Sequence, residues 1–209
     1  MDVFGLIAGE RRRLADALDG LDESDWSTPS LCDGWTVHEV VAHLNVPFEV
    51  SVPSFALGLL KARGRFDVAN VRFARDLARR MDPAACVAGL RANAEHRFTP
   101  PGFGPEAPLT DVIVHGCDAL EPVGRRVEVA PDALATSLSF MAARKGGRGF
   151  PAPDLAQVRL VPDDVDLVLG GGDLEVTGPG RSMLAALLGR TAMLDDLRGP
   201  GVDLLRPGH

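Results

Sequence analysis

Two histidines and a glutamate stand within GWTVHEVVAHL, residues 34–44. Imidazole and carboxylate groups together are the side chains that hold divalent ions. A single helix that grips one ion with two histidines needs them at i and i+4, about 40° apart around its axis. His38 and His43 are five residues apart, which is roughly 140° on the same wheel. No regular helix presents both to one ion, so at most one is a ligand and its partners come from elsewhere. The second candidate stretch is LTDVIVHGCDALEPVGR, residues 109–125. There Asp111 and His115 are i and i+4, stacked on one face, and Asp118 is i+3 from His115. One histidine from a neighbouring helix would complete a set of two nitrogens and one oxygen. Such a set leaves a coordination position open, as in catalytic rather than structural zinc sites, and it equally suits non-haem Fe(II). Bundles build such sites from facing helices. His43 shares a face with Val40 and Leu44 and is expected to point inward. His38, near the helix start, is expected to face solvent. The ordinary alternative is a simple i,i+4 pair at Asp111–His115 and a core histidine satisfied by one hydrogen bond.

These side chains need helices to carry them, and the pattern supplies several. Residues 2–20 are amphipathic, with Phe4, Ile7, Leu14 and Leu18 on one side. Within this helix the run Arg11-Arg12-Arg13 reads as a solvated face. The loop SDWSTPSLCDGW follows, with Trp26 and Trp35 expected to plug the core. Thr36 is the predicted N-cap of the helix bearing His43, with Glu39 three residues on completing a capping box. Pro47 and Pro53 are expected to kink or end that helix. Further helices are predicted over 67–80, over 83–97 behind the Asp82-Pro83 start, over 109–120, and from Pro131 to about Arg144. KGGRGFPAPD, residues 145–154, has the composition of a linker. Beyond it the period changes. QVRLVPDD, VDLVLGGGD and LEVTG are short, Val-rich and alternating, and are predicted to form an antiparallel meander. Helices over 181–188 and 191–197 follow. The predicted class is α+β: a helical bundle over about 1–146 and a small α/β domain over about 152–209.

Composition narrows the function. The formal net charge is −7 over 209 residues, which disfavours nucleic acid as a partner. Three cysteines, Cys32, Cys86 and Cys117, are widely spaced without a CxxC pair. Neither a disulfide framework nor a cysteine zinc site is indicated, and a reducing cytoplasm is the expected location. No apolar run reaches the ~18 residues of a membrane span, and the start MDVFGLIAGERRR lacks the pattern of a signal peptide.

WSTPSLCDGWTVHEVVAHL, residues 26–44, resembles the signature of the mycothiol-dependent maleylpyruvate isomerase family in its DinB-like N-terminal domain. VIVHGCDALEPVGR resembles the later V-H-x-x-D-x-x-x-P-x-G run of that family. VRLVPDD, LEVTGPGRSMLAALLGR and LRGPGV resemble its tail. The resemblance covers nearly the whole chain. It implies a DinB-like four-helix bundle followed by a small α/β domain. It implies a divalent metal, zinc foremost and nickel or iron as alternatives, held by His43, Asp111 and His115. It implies mycothiol as a thiol cosubstrate whose thiolate attacks a small electrophile in an isomerase or transferase reaction. It implies Arg190 as the arginine that holds an acidic substrate, and pairing into a homodimer. The carboxylate position is usually Glu in the family, and Asp111 is one methylene shorter. Either the helices lie closer here or Asp118 supplies the carboxylate. A non-catalytic DinB-like module that binds a metal or ligand is the alternative function. Cys32 is read as packing and Cys117 as facing away from the site.

Overall fold

The computed structural model describes residues 2–126, 128–144 and 155–206. The predicted linker over 145–154 lies outside them. Four helices close a ring: α1 (Val3–Leu18), α2 (Val37–Glu49), α5 (Pro83–Ala92) and α6 (Glu106–Leu120). α1 packs on α6, α6 on α2, α2 on α5 and α5 back on α1. This is the four-helix bundle the sequence implies. α4 (Phe66–Ala78) covers the outside of α2, and α7 (Pro131–Ala142) lies against α6 and α1.

The helix starts are legible residue by residue. Asp2 caps α1 by accepting from Gly5 N, and Asp82 caps α5 by accepting from Ala85 N, with Pro83 in its first turn. At α2 the predicted capping box is present. Glu39 N donates to Thr36 Oγ1 at 3.2 Å and Thr36 N donates to Glu39 Oε2 at 3.0 Å. Pro47 does not break α2, which runs two residues further to Glu49, because α2 is already at its last turn. Pro53 instead opens α3 (Val52–Lys61), capped by Ser51. No helix is predicted there from the sequence, where Ser51, Pro53, Ser54 and Gly58 interrupt the apolar run. None of its residues is buried, and Val52, Leu57 and Leu60 are exposed.

The small sheet departs from expectation. β1 (Val158–Pro162) and β2 (Leu174–Gly178) pair in parallel, with Leu160 opposite Val176. The middle segment contributes only an isolated antiparallel bridge, in which Leu160 and Leu169 exchange both main-chain hydrogen bonds at 2.8 and 3.0 Å. Alternation marks a strand but carries no direction. Here the glycines decide it. Gly170 has φ +80, and a Cβ on Gly172 would lie 1.9 Å from the Gln157 carbonyl carbon. This close crossing returns the chain alongside β1 without a hairpin.

α8 (Gly180–Leu187) closes the C-terminal part, and the predicted helix after it is a short 3₁₀ turn at Thr191–Asp196. α8 packs on α7 and α6. One hydrophobic core therefore runs from Leu14 and Val41 in the bundle through Leu120 and Leu138 to Leu160, Met183 and Leu184. Fully burying each such side chain contributes about 1.5–3 kcal/mol. No described helix is long and apolar enough to cross a membrane.

Candidate metal centre

α2 brings His43 inward and α6 presents Asp111 and His115 across from it. His43 Nε2 lies 3.7 Å from Asp111 Oδ2, and His115 Nε2 lies 3.4 Å from Asp111 Oδ1. One ligand atom from each of the three lies within 4.8 Å of the others. Donors bound at ~2.1 Å around a tetrahedral ion stand roughly 3.4 Å apart, so this set fits a divalent cation with little rearrangement. The shorter carboxylate of Asp111 thus reaches both imidazoles. The imidazole side chains are only 13% and 12% exposed, whereas Asp111 is 38% exposed, so the cluster opens to solvent on its carboxylate side.

Asp118 has a different position. It is fully buried and accepts Nδ1–H of His115 at 2.9 Å. That bond keeps a proton on Nδ1 and turns Nε2 toward the cluster, the arrangement by which a carboxylate supports a ligating histidine. Arg190 holds Asp118 in turn, and among the described residues its other hydrogen bond is Nη1 donating to Leu188 O at 2.8 Å. The structure therefore places Arg190 behind Asp118 rather than beside the Asp111 opening. A second pair, Arg181 with Glu121, joins the C-terminal part to the end of α6.

Charge follows from this arrangement. Burial alone would lower the His115 imidazolium, but Asp111 and then Asp118 raise it to about 9. Burial alone would raise Asp111, but the two histidines hold its carboxyl far below the usual range. Asp118 is also lowered, as hydrogen bonds from His115 and Arg190 outweigh its burial. The thiols go the other way. Burial, then Asp118, pushes Cys32 to about 11, and burial pushes Cys86 and Cys117 to about 12. None of the three is poised to be a thiolate at neutral pH.

Trp35, expected only as core packing, touches the site. Its ring centroid is 5.1 Å from that of His43 and 6.2 Å from that of His115, with only 17° between the Trp35 and His115 planes. His43 Nδ1 is enclosed and has no hydrogen-bond partner among the described residues. Trp35 therefore packs on a ring whose Nε2 side faces Asp111 and whose Nδ1 side has no polar support among the described residues. The loop carrying Trp35 is itself pinned to α6, since Leu31 N donates to Asp118 O at 3.1 Å. Arg75 on α4 steadies the same corner through Gly34 O at 2.8 Å and Glu39 at 3.3 Å. His38 does not face solvent as expected. It is half-buried, with Nε2 2.9 Å from Met81 O, and stays outside the cluster. Arg11 departs further from its predicted solvated face, being only 5% exposed.

Residues 7–99 match the family model of the mycothiol maleylpyruvate isomerase N-terminal domain. Over those residues the chain resembles the N-terminal domain of mycothiol-dependent maleylpyruvate isomerases. The matched residues include α2 and His43 and end before α6. In structure the chain is similar to a crystal structure of the mycothiol-dependent maleylpyruvate isomerase, at a TM-score of 0.50 and 15% identity, covering 95% of this chain and 91% of that one. A histidine-to-alanine variant of that enzyme gives 0.49 at the same identity and coverage. At this identity the likeness is one of fold. It takes in α6 and the C-terminal part as well as the matched residues. No curated protein matches the sequence.

Proposed function

We propose that this chain is a divalent-metal enzyme that uses a mycothiol-type thiol to isomerise or transfer to a small electrophile. The observation that carries this reading is the convergence of His43, Asp111 and His115 from two helices at ligand spacing. A divalent ion held there would lower the pKa of a thiol at its open position. The protein residues prepare for it. Asp118 orients His115, Arg190 neutralises Asp118, Trp35 packs on both rings, and the partly exposed Asp111 leaves the approach from solvent clear. The protein's own cysteines are held as thiols, which supports an external nucleophile.

The test is metal content of protein purified without a histidine tag or chelator, followed by a thiol-and-electrophile panel. The expected result is about one zinc, nickel or iron per chain, lost in His43→Ala and His115→Ala, with turnover only when mycothiol is supplied. Absence of metal after reconstitution with each of the three ions would overturn the reading. Stoichiometric metal without turnover on any electrophile would instead favour the non-catalytic binding module.

A further inference from the structure

Large apolar side chains stand exposed at four places among the described residues, and three of the four are on α3: Val52, Leu57 and Leu60. Along α3, Pro53, Ala56, Leu57 and Leu60 recur at i, i+3, i+4 and i+7, the spacing of a core-facing stripe, yet all four are exposed. The opposite face is the one that packs. Phe55 stacks on Phe73 of α4 with ring centroids 5.3 Å apart and planes 17° apart, and Gly58 leaves room for the Phe73 ring. α3 thus packs one apolar face on α4 and leaves a second one bare. Positive charge gathers beside it. Residues 61–80 hold seven lysines and arginines against two aspartates, in a chain whose formal net charge is −7. Lys61 lies one turn beyond Leu57. Arg65, Arg72 and Arg79 run from one cap of α4 to the other at seven-residue intervals, each about 20° from the last around the helix, and all three are exposed. Arg75 is bound to Gly34 O and Glu39, but Lys61, Arg63 and Arg72 have no ion-pair partner among the described residues.

We propose that the bare face of α3, with the arginine row of α4 beside it, docks the protein on an anionic lipid bilayer. A helix with aliphatic side chains on one side and basic residues at its edge lies in the headgroup region, with the apolar side sunk toward the acyl chains. Each lysine or arginine near an anionic leaflet strengthens binding by about fivefold. An otherwise acidic chain then offers the membrane its basic patch and turns the rest away. Other occupants fit this face less well. A second copy related by a two-fold axis would set the basic patch against itself. Protein partners favour aromatic anchors, and the bare face of α3 is aliphatic throughout. Docking needs no metal at the His43 cluster, so it stands or falls apart from the proposed function.

The test is flotation of the full chain with vesicles of phosphatidylcholine alone and of an equimolar mixture with phosphatidylserine, beside gel filtration of the free protein. Wild type is expected to float with the anionic vesicles, to stay behind with the neutral ones, and to be released as salt rises. Leu57→Ser with Leu60→Ser is expected to weaken partition by about tenfold or more. Lys61→Gln with Arg72→Gln is expected to weaken it by about 25-fold, fivefold for each charge. All four side chains are exposed, so these variants are expected to keep the fold. Leu60→Trp gives a second readout: its added emission should shift to the blue on anionic vesicles and be quenched by brominated acyl chains. Wild type that does not float with anionic vesicles, or partition undiminished in the leucine variant, overturns the proposal. So does added emission in Leu60→Trp that brominated lipid leaves unquenched. A wild-type dimer that the leucine variant turns into a monomer assigns the face to a second copy and overturns it too.

Discussion

Arg190 clasps Asp118 with two nitrogens. Nε donates to Oδ1 at 2.9 Å and Nη2 to Oδ2 at 2.6 Å, while the same Oδ2 takes the Nδ1 proton of His115. The C-terminal part thus reaches the candidate metal cluster through one buried carboxylate. Removing the guanidinium leaves that carboxylate buried beside a histidine and no arginine. Arg190→Ala is expected to lose about 3–5 kcal/mol of stability, the cost of breaking a buried pair. It is also expected to weaken zinc binding by about 10–100-fold, as for other lost supports of ligating histidines. Denaturant melts and chelator competition read the two effects. Arg190→Lys should recover stability better than it recovers affinity, because an ammonium cannot hold both oxygens in one plane.

Metal binding is expected to release a proton. His115 in the metal-free protein is raised from 6.5 to about 9, so it is protonated at pH 7.5 and must lose that proton to ligate. Calorimetry in two buffers of different ionisation enthalpy should count close to one proton per zinc at pH 7.5, falling toward zero above pH 9. The same shift fixes the sign for stability. A raised pKa stabilises fully below the unfolded value and is lost as pH rises through the folded one. Metal-free protein should therefore melt progressively lower between pH 6.5 and about 9, and His115→Gln should flatten that slope.

Trp35 offers an optical readout, because the chain has only two tryptophans and Trp26 lies against His38 instead. In a Trp26→Phe background, emission is expected to change on zinc addition and to saturate at about one equivalent. His43→Ala should abolish the change. Trp35→Leu removes the aromatic ring packed on His43 and His115, and should lower zinc affinity more than Trp35→Phe does. Unchanged affinity in Trp35→Leu would show that the imidazoles orient themselves.

Much of this site was readable because helices impose fixed angles. Two histidines five residues apart could not share an ion, while Asp111 and His115 one turn apart could, and the face shared with Val40 and Leu44 turned His43 inward. What the sequence could not convey were relations between distant segments. The resemblance gives Arg190 an acidic substrate to hold, and only the fold sets it against Asp118, 72 residues away. Arg11 sits in a run of three arginines and reads as surface, although its register with Ile7 and Leu14 was the available signal. The strands were found from alternation, but their direction depended on how closely Gly172 could pass Gln157, which no period encodes.

The α2–α5 contact behind His43 should tolerate no added methyl. Gly89 faces Asn45, which is fully buried and donates Nδ2 to Val41 O at 2.9 Å and to Cys86 O at 3.1 Å. A Cβ on Gly89 would lie 2.2 Å from Asn45 Oδ1. Two hydrogen bonds pin that amide, so the clash must move a helix rather than a side chain. Alanine favours a helix over glycine by about 1 kcal/mol, while overpacking costs about 1–3 kcal/mol. The second effect should win, and Gly89→Ala is expected to lower stability despite its better propensity. Asn45 is two residues from His43, so zinc affinity should fall in the same variant. Adding Asn45→Ala removes the obstructing oxygen and should restore part of both losses. A double-mutant cycle by urea melts checks this, and strictly additive effects would place the strain elsewhere.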